Sequence, residues 1–402
     1  MSNFPIVRFQ TLDVMRGIAL LGILIVNVQT YGLFAFLRPE QVYDLNLDQP
    51  STYRPVQFIT TLLVKGQFYT IFSFLFGLGF FLMLQKNIAN GLDGERIFKR
   101  RLWALLLIGL IHAFVFWFGD ILHRYALLGF TLIFFHKKSV NVLFKWIAGM
   151  VLFVIIYQFA LAILLPVSTE SQAQSNKEGD VVIMQVVNAW QHGSVSDVLS
   201  LQWLGVVMLV ARSIFNGFAA FIHSEIMFIL GIIVGKLALF HRVDELKAMF
   251  LRSAWILLPF ALTLKVISCL DVLQMNLLPA NLLNLELLIT SLCSFVSMPM
   301  LALCYIIFLA VFLEKQSSVI LTWIANTGRM GLTNYLMQTL LCMIVFYGYA
   351  MGYAGKLTLA ETLIPVAIIY VFQVLYSNIW LNYYKMGPME HLWRKLTYGK
   401  IK

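Results

Sequence analysis

Long apolar runs separated by short polar ones set the pattern of this chain. Most runs are long enough to cross hydrocarbon as a helix, which takes about 20 residues. A bilayer admits only helices or closed barrels. The runs place spans at about 12–36, 56–84, 101–118, 121–136 and 143–165, and again at about 217–240, 253–270, 286–313, 329–351 and 361–382. The stretch 37–55 reads as a loop, with Pro39, Pro50 and Pro55. The stretch 181–216 is ambiguous: it is apolar enough to be helical but is interrupted by Arg212 and Asn216. Charge settles it provisionally, because cytoplasmic loops carry the excess of Lys and Arg. With 181–216 interfacial or re-entrant, the basic loops near Lys86–Arg101, Lys137–Lys138 and Arg242–Arg252 all fall on the same side as the tail. The expectation is an all-α polytopic bundle of ten spans with both termini cytoplasmic. Eleven spans is the alternative. The whole of 1–402 forms one transmembrane domain, with 166–216 an outer loop plus interfacial segment and 385–402 a cytoplasmic amphipathic tail.

Composition agrees. Of 402 residues 60% are hydrophobic and only 12% charged, with a mean hydropathy of +0.83; soluble domains carry about 25% charged residues. The net charge of +10 is what cytoplasmic loops supply and does not call for nucleic acid. The first apolar run contains Asp13 and Arg16 and no A-x-A-like exit, so it reads as a retained anchor. Cys269, Cys293, Cys304 and Cys342 lie in apolar stretches and read as small buried residues, not as disulfides.

Polar residues inside the spans are where function is expected, since an intramembrane charge costs roughly 3 kcal/mol on insertion scales. Asp13 and Arg16, at i and i+3, can pair. Asn27 and Gln29 lie deeper, where an unpaired amide is expensive. His112 falls in the outer half of the third span, and Asp120, His123, Arg124 and Tyr125 cluster at the turn that follows. A carboxylate beside a histidine orients the ring and stabilises the imidazolium, as general-base catalysis requires. The plainer reading is a scaffold of interhelical hydrogen bonds. His223 and Glu225 reach similar depth from another span, with Arg212 and Asn216 approaching from the segment before it. Convergence of this kind in an apolar bundle predicts a cavity. No pair has metal-ligand spacing, so no metal is expected. Arg329, Asn334, Tyr335 and Gln338 make a basic helix end followed by polar groups, suited to a phosphate-bearing anion or to snorkelling and helix packing. Gly77 and Gly79 in a Phe-rich run predict close helix approach. In the tail, Met389, Leu392, Trp393 and Leu396 line the apolar side of a short helix that starts at Pro388.

Several blocks carry a resemblance. They are LDVMRGIALLGILIVN in the first span, F-x-x-L-F-G-x-G in the second, a His followed by G-D-I-L-x-x-Y-A after the third, GRMGLTNYL in the ninth, and GPMEHLWRKLTYG in the tail. Together they resemble the DUF418 (YeiB-like) family of bacterial membrane proteins. The resemblance implies a place in the bacterial inner membrane. More distantly, Asp13, Arg16, Gly17 and Asn27 resemble the first span of transmembrane acyltransferases such as heparan-α-glucosaminide N-acetyltransferase. Those relatives' catalytic His stands where this chain has Arg38. The resemblance implies transfer of an acyl group from acyl-CoA (acetyl-CoA), not tightly bound, to a glycan or lipid acceptor at the outer face. His112 would then be the base, Asp120 its orienter, Asn27 an oxyanion donor and His223 a reserve base. Asp13, Arg16, His123, Arg124, Tyr125, Arg212, Glu225, Arg329 and Asn334 are the candidate binding residues. Two alternatives stay open: a transporter or exporter without chemistry, and a pseudoenzyme scaffold. Membrane lipids are the expected surroundings, with a homodimer as an option.

Overall fold

The computed structural model describes residues 10–165, 169–215 and 218–399, and their side chains except at 169–176, 208–215 and 280. Among the described residues every regular element is helical. Helix α1 (Gln10–Tyr31) opens the bundle. The stretch expected as a loop holds α2 (Pro39–Asp44) and the start of α3 (Pro50–Leu63). The correction has a physical cause: Pro50 sits in the first turn, where a fixed φ favours a helix and the missing N–H is no loss. The expected second span is broken. Helix α3 stops before Gly66, whose φ of +96° suits glycine, and α4 (Gln67–Ala89) resumes beyond it.

Helix α5 (Gly94–Ile111) starts where the Asp93 carboxylate accepts the Arg96 N–H at 3.0 Å. It ends in a π-helical turn, His112–Phe116. Helices α6 (Leu122–Gly129) and α7 (Leu132–Phe135) are short, and α8 (Val140–Leu164) is long. The ambiguous stretch forms α9 (Thr169–His192) and α10 (Val195–Phe215). Then come α11 (Phe218–Lys236), α12 (Val243–Ile267) and α13 (Leu283–Leu313). The expected ninth span is split at Met330 into α14 (Val319–Arg329) and α15 (Gly331–Phe346). Helices α16 (Leu363–Tyr383) and α17 (Pro388–Tyr398) close the chain.

Seven of these are long and apolar enough to cross a membrane: α1, α3–α4 together, α8, α11, α12, α13 and α16. The other three of the ten expected spans fall on α5, α6–α7 and α14–α15. Helix α5 carries Arg96, Lys99, Arg100 and Arg101, α6–α7 covers only Leu122–Phe135, and the apolar α15 has 16 residues. The protein is a multi-pass membrane protein. Helix α8 shows why water is not its solvent: Leu152, Ile156, Ile163 and Leu164 are each more than half exposed, and 6% of its apolar window is buried. An apolar face of that size needs lipid or another protein against it.

Tight helix contacts hold the bundle together. A Cβ on Gly77 of α4 would stand 2.1 Å from the Phe228 carbonyl oxygen of α11, and one on Gly231 would stand 2.4 Å from that of Phe74. On the other side of α1, a Cβ on Gly328 of α14 would stand 1.9 Å from the Asp13 carbonyl oxygen. In lipid, where association rests on close packing, such contacts carry much of the stability. At one end of the bundle Asp13 and Arg16 share a cavity with the tail helix α17, so this is the tail end. At the other end, Tyr31 stacks on Trp117 at 4.1 Å between ring centroids, and buried Trp190 of α9 packs beside them. There Arg38 pairs with Asp180 of α9 at 2.8 Å, and its guanidinium hydrogen bond holds that carboxyl below its ordinary range. A Gly77→Val substitution forces α4 and α11 apart. It is expected to cost about 1–3 kcal/mol, read as a lowered thermal-unfolding midpoint in detergent.

Candidate functional site

The site is built at the junction of α5 and α6. The π-helical turn ends α5 with one extra residue in the turn, closed by the Trp117 N–H on the His112 carbonyl at 2.8 Å. Such turns collect at functional positions. The chain then reverses so that α6 lies against α5. Gly109 permits the contact: a Cβ there would stand 2.4 Å from the His123 backbone nitrogen.

The reversal places Asp120 in the middle. Its side chain is 0% exposed. One oxygen accepts His112 Nδ1 at 2.7 Å. The other accepts His123 Nδ1 at 2.8 Å and the His123 backbone N–H at 2.9 Å, which caps the first turn of α6. An ionised carboxylate only accepts, so each histidine carries its proton on Nδ1 toward Asp120 when neutral. Their other nitrogens differ. His112 Nε2 meets Thr339 Oγ1 of α15 at 2.9 Å, and the His112 ring packs 5.4 Å from that of Tyr335. His112 is therefore buried and fully bonded. His123 Nε2 has no hydrogen-bond partner among the described residues, and its side chain is 29% exposed.

His123 stands on the wall of a cavity of about 950 Å³. Arg124 stands beside it, its guanidinium 5.4 Å from the centre of the Phe221 ring. Among the described residues no carboxylate lies within 4.0 Å of it. Glu225 of α11 faces the same cavity and is 5% exposed. Its Oε1 accepts the Thr131 hydroxyl at 2.5 Å, while Oε2 has no hydrogen-bond partner among the described residues. The remaining wall is mostly apolar, including Leu110, Phe114, Phe134 and Trp146. A base, a cation and a buried carboxyl thus meet in an apolar chamber.

The other sequence candidates lie elsewhere. Asn27 accepts a hydrogen bond from the Tyr69 hydroxyl and is not on the cavity wall. His223 Nε2 bonds Thr70 Oγ1 at 2.7 Å, on another side of α11 from Glu225. Tyr125 is buried against Ser73 at 2.7 Å and the Tyr69 carbonyl at 3.0 Å. Asn334 is fully buried and bonds the Thr327 carbonyl and Ser377, both at 2.9 Å. Asp13 and Arg16 pair at 2.8 Å and line a second, smaller cavity with Arg329. The Arg212 side chain and Asn216 lie outside the described residues. Sequence reading missed Thr131 and Thr339. The second had a signal: it follows Tyr335 by four residues and so shares its helix face.

Comparison with known proteins places the whole arrangement in a family. A profile described as a protein of unknown function, DUF418, matches residues 234–400. A 39.9 kDa protein from the amylase 3′ region of Bacillus acidopullulyticus is 30% identical over 98% of this chain and 94% of its own length. The chain belongs to the DUF418 family. YxaH of Bacillus subtilis is 29% identical over 97% of the chain and 94% of its own length. YeiB of Escherichia coli is 28% identical over 97% and 96%. All three are described as uncharacterized. No solved structure matches. The DUF418 profile covers Arg329, Tyr335, Thr339 and Glu390, while the block holding Asp120 and His123 precedes it and is spanned by the full-length relatives.

Asp120 is the group on which this corner depends. Asp120→Ala would strand two buried N–H donors and remove a helix cap, an expected loss of about 2–4 kcal/mol. Thr339→Val, which removes only one bond to His112, should cost about 1 kcal/mol. Thermal unfolding of both variants in the same detergent checks the order.

Proposed function

We propose that the protein is an acyltransferase of the bacterial inner membrane, moving an acyl group from acyl-CoA to a hydroxyl of a glycan or lipid acceptor in the large cavity. The observation that carries this reading is His123: its Nδ1 is held by a fully buried carboxylate, its Nε2 has no hydrogen-bond partner among the described residues, and it stands on the wall of a 950 Å³ chamber. That is the geometry of an oriented general base. His123 Nε2 takes the proton of the acceptor hydroxyl as its oxygen attacks the thioester carbonyl. The C–O bond forms, the C–S bond breaks, and the proton passes to the departing thiolate. Arg124 supplies the positive charge for the developing oxyanion. The base thus moves from His112, whose two nitrogens are both bonded, to its neighbour on the same carboxylate. Asn27, tied to Tyr69, leaves the oxyanion role to Arg124.

A transporter is the second reading. It is favoured by breaks in two apolar segments, before Gly66 and at Met330, because discontinuous helices line many transport sites. The two readings separate on acyl transfer by the wild type, and the base on one residue. His123→Ala should lower acyl transfer from acetyl-CoA by about 10²–10⁴-fold while the unfolding midpoint falls less than in Asp120→Ala, because Asp120 keeps His112 and the backbone cap of α6. Acyl transfer by His123→Ala at the wild-type rate would remove His123 as the base, and no acyl transfer by the wild type would favour transport.

A further inference from the structure

A second cavity, of about 300 Å³, lies at the tail end. Helix α6 separates it from the large one: Leu122 and Tyr125 face the small cavity, His123, Arg124 and Leu127 the large. Three arginines from three helices stand on its wall: Arg16 of α1, Arg101 of α5 and Arg329 of α14. Two carboxylates stand with them, and both are engaged. Asp13 pairs with Arg16 at 2.8 Å. Glu390 of the tail helix caps α15, accepting the N–H groups of Leu332 at 2.7 Å and Thr333 at 3.1 Å and the Thr333 hydroxyl at 2.6 Å. Arg101 is half-buried and has no carboxylate within 4.0 Å among the described residues. Its guanidinium lies 3.5 Å from the centre of the Trp393 ring, and the Trp393 N–H donates to the Arg101 carbonyl at 2.9 Å.

The chemistry of this wall selects an anion. A guanidinium held out of bulk water without a counter-charge is costly, and an anion beside it offsets the cost. Arginine forks match phosphate oxygens two at a time, which favours phosphate over a point anion. Above the arginines the wall turns apolar and aromatic, with Phe72, Phe76, Phe80 and Leu105, and it reaches Tyr335, whose ring touches His112. The occupant therefore has two parts.

We propose that this cavity binds a phosphate-headed amphiphile, its phosphate on Arg16, Arg101 and Arg329 and its body along the aromatic wall toward Tyr335. The proposal stands independently of acyl transfer. Such a head comes from two sources, a soluble phosphate ester or a lipid headgroup, and the test separates them. The full-length protein in detergent is titrated with adenosine 5′-diphosphate, and separately with phosphatidic acid in mixed micelles against phosphatidylcholine. Binding is read directly and as a shift of the unfolding midpoint. At least one of the two phosphates should bind, more weakly as salt rises. Arg101→Gln should weaken it by about tenfold or more. Gly79→Leu is the second variant. It leaves all three arginines in the chain, Gly79 lines the cavity, and a Cβ there meets only the Arg16 guanidinium, at 3.4 Å, with no backbone of another helix within 4 Å, so the added side chain takes up cavity space. It should weaken binding as much. Binding of the nucleotide alone identifies a soluble ester, and binding of phosphatidic acid alone a lipid head. No binding of either above the phosphatidylcholine control, or wild-type affinity in both variants, overturns the proposal.

Discussion

One buried carboxylate organises the centre of this protein. Asp120 accepts from two imidazoles and one backbone N–H, and each bond fixes a different element. Through His112 it ties the end of α5 to Thr339 of α15. Through the His123 N–H it starts α6. Through His123 Nδ1 it fixes which nitrogen of that ring meets the cavity. A charge at this depth persists only with such full satisfaction, because an unpaired carboxylate in an apolar medium would take up a proton instead. The histidines are what make the charge tolerable, and the charge is what orients the histidines.

The same accounting runs through the other polar groups, each with its own solution. Arg16 takes a carboxylate three residues earlier. Arg101 takes an indole face, a weaker partner than a carboxylate in contact. Buried Lys265 of α12 donates to the Lys65 carbonyl at 3.3 Å, beside the break between α3 and α4, where carbonyls lose their helical donors. Gln338 and Gln373 bond each other at 3.0 Å across α15 and α16. Backbone breaks and polar side chains thus occur together, as they must in a solvent that supplies no hydrogen bonds.

Much of the architecture was legible in the sequence because hydrophobic length is a strong signal. The long apolar runs emerge as helices, and the tail pattern from Pro388 emerges as a helix docked on the bundle through Glu390 and Trp393. Breaks inside apolar runs were not legible. Gly328 and Gly331 flank Met330, but glycines in an apolar run also serve close packing, and the cap that restarts α15 there is Glu390, some sixty residues away. At the site, motif spacing brought out His112, Asp120 and His123 together but assigned the base by depth. Depth cannot say which histidine has a spare nitrogen. That depends on Thr339, a contact across more than two hundred residues. Asn27 misled for a related reason: equal depth is not a shared wall, and its amide turns to Tyr69.

Helix α6 is the thin wall between the two cavities, and its eight residues explain how one short element serves both. Leu122 and Tyr125 are three apart and share one face; His123, Arg124 and Leu127 share the other. The cap from Asp120 fixes the rotation of that helix about its axis. A turn of about 100° per residue means that a slip of one position would put His123 in the place of Leu122, toward the arginines. The cap is therefore a register device as well as a charge partner. It also ties the two cavity walls together: Tyr335 lines the small cavity, its ring packs on His112, and its hydroxyl accepts the Ile121 N–H at 3.3 Å, so a shift of α15 at the small cavity would reach the carboxylate that orients His123 through His112 and Ile121.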